Sequence, residues 1–109
     1  MPETVPQKLQ NVSVDLKANI YFDGKVVSHS VYDVTGAKKT VGLIYPGSYQ
    51  FNTEAPELMQ IVSGSCKVRI AGEEEWKTYA AGMEFHVPGK SAFEISVVRG
   101  IAEYLCTFE

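Results

Sequence analysis

From Val12 to Phe108 the chain alternates apolar and polar side chains in short stretches, each broken about every 8 to 12 residues by a turn-forming pair. A period of two sends successive side chains to opposite faces of a strand, so each stretch has one face to bury and one to leave in water. No long window shows a helical period, so no long helix is predicted. The pattern opens with Val12, Val14 and Leu16, and a second stretch ends at Asp23-Gly24. Residues 35–39 read as a polar turn, and Pro46-Gly47 is another. Later stretches carry Tyr49 and Phe51, then Glu57, Met59 and Ile61, then Cys66, Val68 and Ile70. Met83, Phe85 and Val87 follow, then Phe93, Ile95 and Val97, then Tyr104, Cys106 and Phe108. About ten short strands at this spacing predict one all-β domain, a sandwich or a barrel. Residues 19–109 carry the regular pattern, and residues 1–18 are expected to be an arm or an extra strand.

Bulk properties narrow the class further. The chain has 109 residues, one domain's worth, and 45% of them are hydrophobic, enough for one core without staples. The net charge of −3 offers no basic footprint, so neither nucleic acid nor an anionic membrane surface is expected as partner. Residues 1–10 hold no apolar leader and no stretch approaches a membrane span, so the expected compartment is the cytoplasm. Cys66 and Cys106 both sit in apolar alternating runs and read as small core residues, with a disulfide open only if their strands are neighbours.

Two glycine-punctuated stretches carry the motifs. Gly47 to Gly64 holds Glu57 seven residues before its closing glycine, and Gly82 is followed after five residues by Pro88-Gly89. Both resemble the paired motifs of cupins, jelly-roll barrels also described as double-stranded β-helices. Gly64 would serve a sharp turn between barrel strands, and Gly82 and Gly89 would supply positive φ at the rim. A metal cupin also carries imidazoles before the glutamate and after the Pro-Gly turn. Here those positions fall on Gln50 and Asn52, or Phe51 and Thr53, and near Phe93. The only histidines are His29 and His86, and one carboxylate without imidazoles is a poor transition-metal site, so no metal is expected.

A closer resemblance covers residues 19–109. Tyr21-Phe22, Gly24-Lys25-Val26, Val41-Gly42, Gly47, Tyr49 and Phe51, then Thr53, Pro56-Glu57 and Met59, then Ser63-Gly64 are its first landmarks. Gly82, Phe85, Val87-Pro88-Gly89, Ser91, Phe93 and Tyr104-Leu105-Cys106 complete it. In this order they resemble the small single-domain pyrimidine/purine nucleoside phosphorylases. That resemblance implies a metal-independent, homodimeric pentosyltransferase without a cofactor. Its substrates would be small-molecule nucleosides of broad base type and inorganic phosphate as co-substrate, its products free base and pentose 1-phosphate. The alternative is a non-catalytic cupin that binds a small polar metabolite.

Splitting an N-glycosidic bond with phosphate needs the anion oriented, positive charge on the sugar stabilised and the departing base assisted. Glu57 is the expected catalytic residue, because alternation places it on the inner face with Met59 and Ile61. Either proton donation to the base or stabilisation of the sugar cation is open to it. Thr53 and Ser91 are the expected hydroxyl contacts, and Tyr49, Phe85 and Phe93 the aromatic walls for a planar base, with Met59 as adaptable filler. Lys25, Lys90 and Arg69 are the cations considered for phosphate, although Lys67 and Arg69 alternate outward.

Overall fold

A computed structural model describes residues 5–109. The first four residues of the expected 1–18 arm lie outside the described residues. Among the described residues eleven strands follow one another: β1 (Ser13–Val14), β2 (Asn19–Tyr21), β3 (Val26–Tyr32), β4 (Lys38–Ile44), β5 (Gly47–Asn52) and β6 (Glu57–Ser63). Then come β7 (Ser65–Ile70), β8 (Lys77–Ala80), β9 (Glu84–Val87), β10 (Ala92–Val97) and β11 (Ala102–Phe108). The one helical turn among the described residues is a 3-10 turn at Phe22–Gly24, where Asp23-Gly24 was expected to turn the chain.

The strands form two antiparallel sheets. The larger runs β1-β3-β4-β11-β6-β9 with β2 also on β3, and the smaller runs β5-β10-β7-β8. From β4 to β7 the chain steps between the sheets at every strand, and it does so again from β8 to β11. That winding is the jelly-roll barrel of the cupin type, and period-two alternation is what permits it. Val26, Ile44, Ile61, Val87, Ile95 and Val97 are fully buried between the sheets, each flanked by more exposed neighbours.

Glycines set two tight corners by different means. Gly64, between β6 and β7, has φ +79°, and a Cβ there would overlap the Ile101 carbonyl oxygen. Gly82 has the expected positive φ, but Gly89 does not. Gly89 is needed for space instead: a Cβ would lie 2.8 Å from the Glu54 carbonyl oxygen and 3.1 Å from the Pro56 ring. The left-handed residue of that turn is Lys90, at φ +49°.

Cys66 on β7 and Cys106 on β11 belong to different sheets, and both are free, buried thiols. Strand β1 lays residues 13–14 on β3, and residues from Pro6 to Val12 lie over the outer face of the larger sheet.

Candidate functional site

Between the sheets, toward one end of the barrel, is a cavity of about 230 Å³. Its floor is built by register. Ser30 of β3 faces Thr40 of β4, which faces Cys106 of β11, which faces Met59 of β6. One row inward, Ser28 faces Gly42, which faces Tyr104. One row toward the open end, Phe108 faces Glu57. Cross-strand partners share a face of the sheet, so these rows put a carboxyl, a thiol, a phenol and several hydroxyls on one inner surface.

Glu57 is the anionic side chain lining this cavity. Cys106 Sγ lies 3.6 Å from Glu57 Oε1 and donates to it. Burial lifts the Glu57 carboxyl above its ordinary value, and the thiol's hydrogen bond pulls it part of the way back. Burial, with the Glu57 charge adding to it, pushes the Cys106 thiol up to about 12. Burial likewise pushes the Tyr104 phenol up to about 12, against a hydrogen bond from Ser28. At neutral pH thiol and phenol are therefore both neutral, and the thiol donates to the carboxyl. Tyr104 lies flat across Gly42, whose missing Cβ would come within 2.7 Å of the ring. Glycine at position 42 thus lets the phenol span from β11 toward β3 and floor the cavity.

The opposite wall is aromatic. Phe51 of β5 and Phe93 of β10 stack with centroids 5.6 Å apart and planes 24° apart. Tyr21 closes edge-on over Phe51 at 6.1 Å, and Phe22 does so at 5.5 Å. Consecutive left-handed residues, Phe22 and Asp23, aim these rings inward.

Of the seven expected site residues, Glu57, Met59 and Phe93 line the cavity together. Tyr49 shares the inner face with Phe51 but lies deeper, 6% exposed, its hydroxyl donating to the Tyr45 and Pro46 carbonyls at 2.8 and 2.9 Å. Phe85 is packed between Tyr79 and Phe93 in the core. Thr53 and Ser91 form a clamp: Thr53 Oγ1 donates to the Pro88 carbonyl at 2.6 Å and accepts from the Ser91 amide at 3.0 Å. The Thr53 amide returns a bond to the Ser91 carbonyl. These four pack or pin the barrel away from the cavity lining. Ser28, Thr40, Phe51, Tyr104 and Cys106 also line the cavity and stand outside the expected site residues.

A cupin barrel implies a metal, and the donor set does not fit one. Of the positions expected for imidazoles in one register or the other, Phe51, Asn52 and Phe93 line the cavity, and among the described residues no histidine does. Among the described residues no three His, Cys, Asp or Glu side chains gather as a ligand set. Of the two histidines, His86 is exposed and 3.2 Å from Glu109, and His29 contacts the Asp15 carbonyl.

This is a jelly-roll domain of the cupin type with a cavity between its sheets that carries the Glu57 carboxyl. The barrel resembles the manganese protein oxalate decarboxylase of Bacillus subtilis in fold, with TM-score 0.73 at 18% identity over 99% of this chain and 32% of that one. Residues 16–108 match the family described as pyrimidine/purine nucleoside phosphorylase. The chain belongs to the pyrimidine/purine nucleoside phosphorylase family. It is 55% identical to the pyrimidine/purine nucleoside phosphorylase of Methylobacillus flagellatus over 94% of this chain and 98% of that protein. A crystal structure of a protein of unknown function from Acinetobacter sp. ADP1 superposes with TM-score 0.92 at 40% identity, covering 95% of this chain and 100% of that one.

Proposed function

We propose that the protein is a nucleoside phosphorylase of broad base specificity that works without a metal or other cofactor. The observation that carries this reading, beyond family membership, is the Glu57 carboxyl held by a neutral thiol donor opposite an aromatic wall. In phosphorolysis the bond from the sugar C1′ to the base nitrogen breaks, and its electron pair goes to the base. An oxygen of hydrogen phosphate forms the new bond to C1′, and the proton that phosphate carried ends on the base. The sugar passes through a state with positive charge at C1′. A carboxylate held in a partly dry cavity stabilises that charge more than water does. Burial raises the Glu57 pKa and thiol donation offsets part of that rise; the role proposed for the ionised carboxylate is to face the sugar rather than the base. The aromatic wall at Phe51 and Tyr21 offers a planar base apolar surface without reading its hydrogen-bonding edge, which suits purines and pyrimidines alike.

The test is direct. Metal-stripped protein is incubated with uridine, inosine and adenosine, with and without phosphate. Base is expected to be released only when phosphate is present, and chelator is expected to leave the rate unchanged. No release from any nucleoside would leave the non-catalytic binding reading in its place.

A homodimer is part of this proposal. The outer face of the larger sheet carries an apolar hollow of about 450 Å³ between the residue 6–12 arm and Val27, Val41, Leu43 and Leu105. An apolar sheet face of this kind is the ordinary material of a two-fold contact between copies. Sedimentation is expected to give twice the 12.0 kDa chain mass, and Leu43→Lys is expected to shift the species to monomer. Wild-type protein sedimenting as monomer at micromolar concentration would refute the pairing. The cytoplasm is the proposed compartment, which the two unpaired thiols support.

A further inference from the structure

Among the described residues, the cavity lining holds one carboxyl and no lysine or arginine. Phosphate brought to that carboxyl meets like charge, so a cation has to stand at the entrance. Arg69 is taken: its guanidinium bonds Glu94 at 2.6 Å and stacks over Trp76 at 5.0 Å on the other sheet. Lys77 is paired with Glu73. Lys39 follows β4's alternation to the outer face, opposite to Thr40.

Lys38 has the required placement. It is the first residue of β4 and exposed, and it shares the inner face with Thr40, which lines the cavity. The β4–β11 register pairs Lys39 with Thr107, so one step further Lys38 falls beside Phe108. Its Nζ lies 5.8 Å from the centroid of the Phe108 ring. Phe108 is itself 38% exposed, lines the cavity and pairs with Glu57. Lys38, Phe108 and Glu57 thus form one row across β4, β11 and β6, running from an exposed ammonium through an aromatic ring to the cavity carboxyl.

We propose that Lys38 is the phosphate-binding cation of the site, holding the anion at the cavity mouth beside Phe108, with Glu57 facing the sugar beyond it. The assignment rests on the phosphorylase reading for its ligand and adds to it the place from which phosphate enters. The Phe108 ring keeps the flexible lysine stem at the rim. A loose, exposed ammonium suits a ligand that must enter and leave in every turnover.

Phosphate binding is measured by calorimetry without nucleoside, and initial rates are measured against phosphate and against nucleoside separately. Lys38→Met keeps an apolar stem on Phe108 and removes the charge. It is expected to weaken phosphate binding and raise the KM for phosphate by about 10- to 100-fold, the worth of one charged hydrogen bond. The KM for nucleoside is expected to stay within about 3-fold, within ordinary context variation for an untouched contact. Lys38→Arg is expected to restore most of the affinity, and Lys39→Met, on the opposite face, to leave it unchanged. Should Lys38→Met fail to fold by circular dichroism, Lys38→Gln carries the same expectation. Phosphate affinity equal to wild type in a folded Lys38 variant overturns the assignment, as does a wild-type protein that binds no phosphate. Lys38-dependent phosphate binding without cleavage of any nucleoside supports the assignment and overturns the phosphorylase reading. Phosphate-dependent cleavage indifferent to Lys38 does the reverse.

Discussion

Glu57→Gln is expected to lower turnover by at least about 100-fold while leaving the melting temperature unchanged or higher, the loss being the scale of one essential charged or acid–base group. The two readouts move apart for one reason. Glutamine matches glutamate in shape and its amide oxygen still accepts from Cys106, so the Phe108–Glu57 row keeps its packing. It cannot carry the negative charge that opposes the charge on the sugar. Ionised Glu57 is disfavoured by burial in the folded chain, which is what raises its pKa. A raised folded value makes the folded state hold its proton more tightly than the unfolded one. Stability from this group is therefore complete below the ordinary 4.5 and is lost as pH rises through the folded value. Glutamine removes that loss, so thermal unfolding of the variant should be flatter across that window. For the rate the sign is opposite: kcat is expected to rise with pH as Glu57 ionises. Cys106→Ala removes the donor that lowers the Glu57 pKa and should move this limb to higher pH. A folded Glu57→Gln protein with near wild-type kcat would remove the carboxyl from the mechanism. A kcat that falls as Glu57 ionises would assign it to protonating the base instead.

Glu57 was legible in the chain because one strand's alternation, with Met59 and Ile61, is enough to turn it inward. Met59 and Phe93 were legible in the same way, but how these faces meet is a matter of register between strands distant in sequence. Ser28, Gly42 and Tyr104 meet only because β3, β4 and β11 pair as they do, and no local pattern encodes that pairing. Alternation also fixes a face but not a depth. Tyr49 and Phe51 share the inner face, yet Tyr49 sits where two carbonyls claim its hydroxyl, while Phe51 reaches the open end. Thr53 and Ser91 were expected as ligand contacts because hydroxyls near a turn look the same in sequence whichever way they face. In the fold the Thr53 hydroxyl satisfies the turn's own backbone, at the Pro88 carbonyl and the Ser91 amide. Lys38 escaped notice by a boundary: read as the end of a polar turn it had no face, and as the first residue of β4 it acquires the inner one. Gly89 illustrates a related limit, since a glycine kept for space and a glycine kept for φ are the same letter.

Gly64→Ala is expected to destabilise the barrel by about 3 kcal/mol or more, combining a left-handed backbone with a steric collision. For a chain of this length that is a fall of roughly 10–20 °C in melting temperature. Gly64 sits at the corner where β6 hands over to β7, at φ +79°. An L-residue there costs about 1–2 kcal/mol in backbone conformation alone. The added methyl would also meet the Ile101 carbonyl oxygen and stand 3.1 Å from the Ala102 Cα, both backbone. Backbone has no rotamer by which to step aside. It belongs to the start of β11, whose pairing with β6 already shifts register between Glu103 and Tyr104. Displacing that end strains the strand that carries Tyr104 and Cys106 into the cavity, so activity should fall with stability here, unlike at Glu57. Gly72→Ala separates the two contributions. Gly72 has φ +90°, but a Cβ there has nothing within 4 Å. It should cost only the conformational part, about 1–2 kcal/mol, with kcat unchanged. Equal losses at the two positions in thermal or urea unfolding would mean that the contact with Ile101 relaxes freely. The corner would then be held by backbone conformation alone. A larger loss at Gly64 would tie the close approach of β11 to the geometry of the cavity floor.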